Sequence, residues 1–416
     1  VERILIAGAG VSGLSSASLL DEQGYDVQVL EATDRVGGLA RSFRWHGFDC
    51  DIAPHRLFTR DQEVRERLLA LLPMHRHRRR SRVFIAGRRV RDPIHPVELV
   101  LRLPFRIGWR LVWGYLFRPR LPETSFENLA LRRFGRGLYD LFFEPYTRKM
   151  FGVPPSEISA AWGRQKLRSS GLKDAIRRNS KTFFREFLYP RSGGYGAICE
   201  ALYRKVPDRV IFGARITGLE VGERRIVAVR YRRNGESLSA PVDQLVWTLP
   251  ATLLARQLGR ELTLRYQPVT LVYLLVERPQ VMPYHWVYFG DSDVVINRMA
   301  EFKNFAADGA PPDRTVLVAE VTCATDDPEG DVLAALERYG LIDRREVRDT
   351  LRLEERYGYP VYDRGYEAAR EEAEALFSSF ENLHRVGRNA EFRHIEVDEN
   401  YASALALARR LGPTSG

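Results

Sequence analysis

The sequence predicts an α/β protein in which a parallel sheet, assembled from separated stretches of chain, adjoins a discontinuous α+β region. Three observations carry this expectation. An apolar strand at the start of the chain runs through a glycine-rich turn into an apolar helix and a second strand, the order of a βαβ unit. Later stretches alternate between helical and strand-type patterning instead of separating into blocks. The opening unit also has too few strands to close a sheet, so later segments must complete it.

The elements follow in order. A strand ends at Ala7, a helix covers about Val11 to Gln23, and Val27-Gln28-Val29-Leu30 form the second strand. From Glu63 to about Glu186 the pattern is mostly helical, punctuated by Pro93, Pro96, Pro104, Pro119, Pro122 and the pair Pro154-Pro155. Short β-type runs between Val210 and Val246, separated by Gly218, Gly222 and Gly235, predict a small antiparallel sheet. A second strand-rich region runs from Leu262 to about Val321, with 270–276 its most apolar strand, and helices return from Gly330, the last spanning Ser403 to Leu411. The segments expected to complete the parallel sheet are the strand before Thr248-Leu249-Pro250 and the stretch His384-Arg385-Val386-Gly387. This organisation predicts a nucleotide-binding domain made of 1–65, 190–255 and 370–416. The second domain is then made of 66–189, helical, and 256–369, a sheet with helices.

Composition bounds the class. The chain has 416 residues, 44% hydrophobic and 11% aromatic, which excludes a disordered chain, and it lacks the short repeat of a collagen or coiled coil. At ~100–200 residues per domain, two or three units with a sizeable core are expected. Cys50, Cys199 and Cys323 are too few and scattered for a disulfide framework or zinc site, so no metal is expected and a reduced, cytoplasmic setting fits. No signal peptide is expected before the first strand, because Ile4-Leu5-Ile6-Ala7 passes into glycines and not into a cleavage site. No spanning helix is expected either, since the most apolar segment, 99–117, is broken by Arg102, Arg106 and Arg110.

Gly8-Ala9-Gly10-Val11-Ser12-Gly13 follows a strand and opens a helix, the context that a Rossmann-type dinucleotide fingerprint requires. Gly8 permits the tight turn, Gly10 lets a pyrophosphate approach the backbone, and Gly13 lets helix and strand pack closely. Glu31 ends the second strand, where a carboxylate accepts hydrogen bonds from ribose hydroxyls and disfavours the 2′-phosphate of NADP. A second pair, Gly37-Gly38, offers another close approach to a long dinucleotide, flanked by Arg35 and Arg41, whose charges suit phosphates or a flavin. FAD is therefore expected in preference to NAD.

Through this extended motif the chain resembles the flavoprotein superfamily of amine oxidases, protoporphyrinogen oxidases, carotenoid desaturases and UDP-galactopyranose mutases, and in motif detail it is most similar to the mutases. The resemblance spans nearly the whole chain. It includes 51–58 with His55, 143–152, the glycine turn of 189–195, 297–305 with Arg298, 359–361 with Tyr359, and 387–394, with Asp398 further on. It implies a Rossmann-type FAD-binding domain of the GR2-like flavoprotein fold with a discontinuous α+β substrate domain. Gly387, Arg388 and Asp398 would return to the cofactor, Ile216 would join its contacts, His55 would lie beside the flavin, and Arg298, Tyr359, His55 and His394 would be the catalytic residues. Where the mutases hold the nucleotide and pyrophosphate of the substrate with a tryptophan, an arginine and two tyrosines, this chain offers Phe151, Gln165, Phe183 and His394. A pyrophosphate site that loses a cation and two hydroxyls forfeits charge-assisted hydrogen bonds of ~1.5–3 kcal/mol each.

Two reactions follow. The first expectation is an FAD-dependent oxidoreductase taking a hydride from a small organic or lipophilic substrate at flavin N5. The alternative is a redox-neutral, mutase-like isomerase that acts on a sugar nucleotide through reduced FAD.

The formal charge is +10, and the stretch 75–120 holds thirteen arginines and no lysine against Asp92 and Glu98, so almost the whole excess is local. Within 99–118, Arg102, Arg106 and Arg110 recur every fourth residue beside Leu101, Phe105, Trp109, Trp113 and Phe117, with Pro104 dividing the stretch into two short helices. Two readings stay open: core aromatics with solvated arginines, or an interfacial helix that makes peripheral membrane contact, at the inner surface for a cytoplasmic protein. No nucleic-acid-binding module is present, and the sequence leaves the oligomeric state open.

Overall fold

The computed structural model describes residues 1–166 and 186–414. Its first sheet has five parallel strands in the order Leu383–Arg385, Gln244–Trp247, Arg3–Ala7, Asp26–Leu30, Val210–Ile211. Both segments expected to complete the sheet therefore pair in it, beside the first strand and one place further out. Ile4, Leu5, Ile6 and Ala7 are all fully buried, because a parallel sheet is covered on both faces. Ile4 and Ile6 face helices Val11–Glu22 and Val397–Leu411, whereas Leu5 and Ala7 pack with Leu254, Ala369 and Phe377.

The small antiparallel sheet is present as Arg215–Val221, Ile226–Arg233 and Glu236–Pro241. A larger, seven-stranded sheet is ordered Val347–Val361, Arg265–Val276, Thr315–Val321, Ile296–Glu301, Trp286–Phe289, Ser81–Ile85, Arg88–Arg91. It is antiparallel except where Trp286–Phe289 runs parallel to Ser81–Ile85.

Two local expectations are corrected. The stretch 66–189, expected to be helical, contains strands Met74–Arg78, Ser81–Ile85 and Arg88–Arg91. The last two form a hairpin whose turn residues Ala86 and Gly87 both have positive φ, 50° and 68°, a backbone twist that suits a two-residue β-turn. Its first strand lacks a period-two pattern because Val83, Phe84 and Ile85 are all buried. After Pro328–Arg338 the chain also returns to strand for 15 residues, Val347–Val361, bulged opposite Gln267–Val269. The two short helices expected around Pro104 are present as Pro96–Arg102 and Phe105–Leu116. No helix among the described residues is long and apolar enough to cross a membrane.

Candidate cofactor and substrate site

At the carboxyl end of the first strand, Gly8 takes φ 99° and Gly10 caps the following helix in an extended conformation with no side-chain cap. The glycines differ in what surrounds them. A Cβ on Gly13 would lie 1.9 Å from the Gly8 carbonyl oxygen, so helix and turn touch there, whereas a Cβ on Gly10 would meet nothing closer than the Gly37 oxygen at 3.9 Å. The second glycine pair is fastened to the first, because Gly37 N–H donates to the Ala9 carbonyl at 2.8 Å. The result is an open backbone cradle over uncapped helix N–H groups, which suits an anion.

The Glu31 carboxylate is fixed beside it, accepting from Ala9 N–H at 2.9 Å and from Thr33 N–H and Oγ1 at 2.9 and 2.8 Å. Ala214 N–H donates to the Glu31 carbonyl, which brings the strand carrying Ile216 alongside. The two flanking arginines are already engaged. Arg35 is exposed and pairs with Asp34, while Arg41 donates to the Gly38 carbonyl at 2.9 Å and pairs with Glu355.

Gly387 meets this cradle from 379 residues further along the chain than Gly8. A Cβ on it would lie 2.1 Å from Ser12 Oγ, so glycine is required for the close approach. Asn400 joins the parts: its Oδ1 accepts from Ser12 Oγ at 3.0 Å and from Arg388 N–H at 2.8 Å. The Arg388 side chain points the other way, into a cavity of about 1470 Å³, where its Nε donates to the Ile395 carbonyl at 2.8 Å. Arg388 thus links cradle and cavity.

His55, Arg298, Tyr359, His394, Arg388 and Asp398, which come from distant parts of the sequence, all line that cavity. Arg298 Nε reaches Glu320 Oε1 at 3.1 Å, and Tyr359 donates to the other oxygen at 3.2 Å. Burial works against charge on Arg298, but Glu320 outweighs it and raises the guanidinium well above its ordinary value. Burial, reinforced by the Glu320 carboxylate, also raises Tyr359, so its hydroxyl stays protonated. His55 is pushed down to about 4 by burial, then by Arg388 and Arg298. It is neutral at pH 7, with Nδ1–H donating to the Ala53 carbonyl at 2.9 Å and Nε2 left as an acceptor. His394 is held well below its usual value by burial, Lys166 and Arg388. Its ring stacks on Tyr359 at 5.6 Å, and its buried Nδ1 has no hydrogen-bond partner among the described residues. Asp398 is raised to about 6 by burial and by Glu399.

Two of the residues expected at the positions of the mutases' substrate grip are spent on the protein itself, while a third, His394, lines the cavity. Gln165 donates to the His394 carbonyl at 3.0 Å, and Phe151 is buried edge-on against Trp162. Phe183 lies outside the described residues. Sequence reasoning missed Glu320, Glu396 and Asn400. Glu396, whose ionisation burial opposes, is held below the usual carboxylate range because Arg388 and Lys166 outweigh that burial. No motif marks these three, because each acts on a partner brought near by folding. Among the described residues no cluster of histidine, cysteine or acidic side chains could hold a metal, and the three cysteines are unpaired.

A parallel sheet whose first glycine turn forms an open anion cradle, joined to a deep cavity by Gly387-Arg388, defines a dinucleotide-cofactor protein. The chain belongs to the flavin containing amine oxidoreductase family, whose profile matches residues 11–345, and its cofactor is FAD. An L-amino-acid oxidase of Sistrurus catenatus edwardsii is 46% identical over 65 residues, 16% of this chain and 13% of that protein. A probable UDP-galactopyranose mutase of Klebsiella pneumoniae is 29% identical over 167 residues, 38% and 44% of the two chains. The matched segments thus span less than half the length of these relatives. In three dimensions the chain is similar to a reduced UDP-galactopyranose mutase, with a TM-score of 0.86 and 22% identity over 99% of this chain and 94% of the other, which shows the shared fold.

Proposed function

We propose that this protein is an FAD-dependent oxidoreductase acting on an uncharged, largely apolar small molecule. The observation that carries the reading is the character of the cavity. Beyond the polar group around Arg298, its wall includes a run of apolar side chains, Leu99, Val100, Leu111, Phe134, Leu138 and Phe142, beside charged ones such as Arg56, Arg82 and Lys166. Four of the described arginines that line the cavity are paired with carboxylates: Arg298 with Glu320, Arg388 with Glu396 at 3.8 Å, Arg91 with Glu98 at 2.9 Å, and Arg79 with Asp92, while Arg56, Arg82 and Lys166 lie over aromatic rings. A substrate pyrophosphate that engaged the four paired arginines would have to displace their carboxylates, whereas an apolar substrate gains from filling the space beside the apolar wall.

In this reading Gly8, Gly10, Gly13, Gly37 and Gly38 receive the pyrophosphate, Glu31 the ribose, and Ile216, Gly387, Arg388 and Asp398 complete the cofactor contacts. Arg35 and Arg41 contribute by shaping the second turn through their own ion pairs. FAD, when bound, supplies the acceptor for a hydride from substrate carbon. The protein positions that carbon with Tyr359 and His394, keeps Arg298 charged to stabilise electron-rich groups nearby, and leaves His55 Nε2 to accept a substrate proton. The three cofactor-side stretches, 1–65, 190–255 and 370–416, act as one domain and the remainder as the substrate domain.

A redox-neutral, mutase-like isomerisation is the second reading, favoured by the 29% identity to the probable mutase. Activity measured with FAD oxidised and again after chemical reduction separates the two. The expected result is bleaching of the flavin absorbance by apolar amines, alcohols or allylic compounds without added reductant. Turnover of a sugar nucleotide, seen only after reduction, would overturn the proposal.

A further inference from the structure

On helix Phe105–Leu116 and its C-cap, Phe105, Trp109, Trp113 and Phe117 recur every fourth residue and form a ladder on the surface, with Leu101 exposed near the end of the preceding helix Pro96–Arg102. Successive ring centroids lie 6.4, 5.9 and 4.5 Å apart from Phe105 to Phe117. Phe105 is 83% exposed and even Trp109 and Trp113 are more than half exposed, so the aromatics are not core. The helix seats itself with its other faces. Leu111 packs with Val83, Val90, Leu99 and Leu103 over the 81–91 hairpin, and Gly137 lies so close that a Cβ there would sit 2.6 Å from the Arg110 carbonyl oxygen. The outward ladder is therefore held on a fixed platform.

We propose that this face docks on an anionic lipid bilayer. A contiguous exposed apolar strip of this kind marks an interaction site, and tryptophans flanked by arginines are suited to the boundary between headgroups and acyl chains. Charge decides the occupant. Arg102, Arg106, Arg110 and Arg118 border the ladder within a stretch of thirteen arginines, and Arg106 pairs with no carboxylate among the described residues. A second copy of this face would bring like charges together, whereas an anionic bilayer complements them. The same helix also lines the cavity: Val112, Tyr115 and Leu116 are in its wall, and Leu116 is exposed beside the ladder. Docking thus brings this wall of the cavity against the membrane. The inference stands whichever reaction the flavin performs.

Flotation of the full-length holoprotein with phosphatidylcholine vesicles, with and without phosphatidylglycerol, tests it. Two variants accompany it, Trp109→Ser/Trp113→Ser and Arg106→Glu, each checked for flavin absorbance and melting temperature. Expected are binding to anionic vesicles that weakens with salt and a loss of roughly tenfold or more in partitioning for the double variant. Arg106→Glu, at an exposed position, should weaken binding without touching the fold, and it decides alone if the double variant does not fold. Absence of binding to anionic vesicles at low salt, or binding that both variants leave intact, would overturn the proposal. So would a wild-type dimer in analytical ultracentrifugation that the tryptophan variant converts to monomer.

Discussion

Replacing Gly10 by alanine separates cofactor binding from folding. Gly10 has φ −78° and ψ −176°, extended backbone open to any residue, and its added Cβ would meet no atom within 3.9 Å. The apoprotein should therefore lose about 1 kcal/mol or less, the scale of a changed helix cap. The new methyl group, however, fills the space over the helix N-terminus through which a pyrophosphate approaches. Losing one or two charge-assisted hydrogen bonds, at about 1.5–3 kcal/mol each, corresponds to roughly a hundredfold weaker FAD binding at about 1.4 kcal/mol per decade. Gly13→Ala is the contrast, because its Cβ would sit 1.9 Å from backbone oxygen and the helix itself must move. Titration of apoprotein with FAD by flavin fluorescence, paired with thermal unfolding, reads both effects. If Gly10→Ala melts like wild type and binds FAD within about threefold, the cofactor does not lie where the cradle places it and the reasoning fails.

Two further outcomes are expected. Arg298→Met leaves the Glu320 carboxylate, whose side chain is 3% exposed, without its counter-charge, and should cost about 3–5 kcal/mol in urea unfolding, much of it recovered in Arg298→Met/Glu320→Gln; equal stability of single and double variants would show that the pair is not coupled. His285 is 1% exposed and is pushed down to about 3 by burial, then by His77 and Arg80, so the unfolded chain takes up a proton below its ordinary 6.5 while the folded chain does not until about 3. Its contribution is then fully present above pH 6.5 and falls as pH drops from there toward 3, at up to about 1.4 kcal/mol per unit. His285→Asn, which keeps an acceptor for the Arg80 N–H, should flatten the acid limb of the stability curve, and parallel curves would count against the assignment.

The glycine turn beside Glu31 was legible in the sequence because it is local. A strand, three glycines and a carboxylate within 31 residues must fold as one turn, and steric limits on backbone approach leave few other uses for that pattern. The same local logic predicted both strands that complete the parallel sheet and the break of the helices at Pro104. It failed for the 81–91 hairpin, where Phe84 is buried like its neighbours Val83 and Ile85, so the strand shows no apolar–polar alternation.

What the sequence could not supply is pairing over distance. Arg298 and Tyr359 were marked by motif, yet Glu320, which holds both, has no local signature, and Asn400 gains its role only when helix Val397–Leu411 lies across the start of the first helix. The basic segment makes the division sharpest. The spacing of Arg102, Arg106 and Arg110 against the apolar and aromatic residues marked 99–118 as amphipathic and left open whether its aromatic face meets the core or a membrane. Only the tertiary structure decided that this face is outward. The helix is anchored instead through Leu111 and its contact with Gly137, where the missing side chain lets the two backbones meet and leaves the aromatic ladder exposed to solvent.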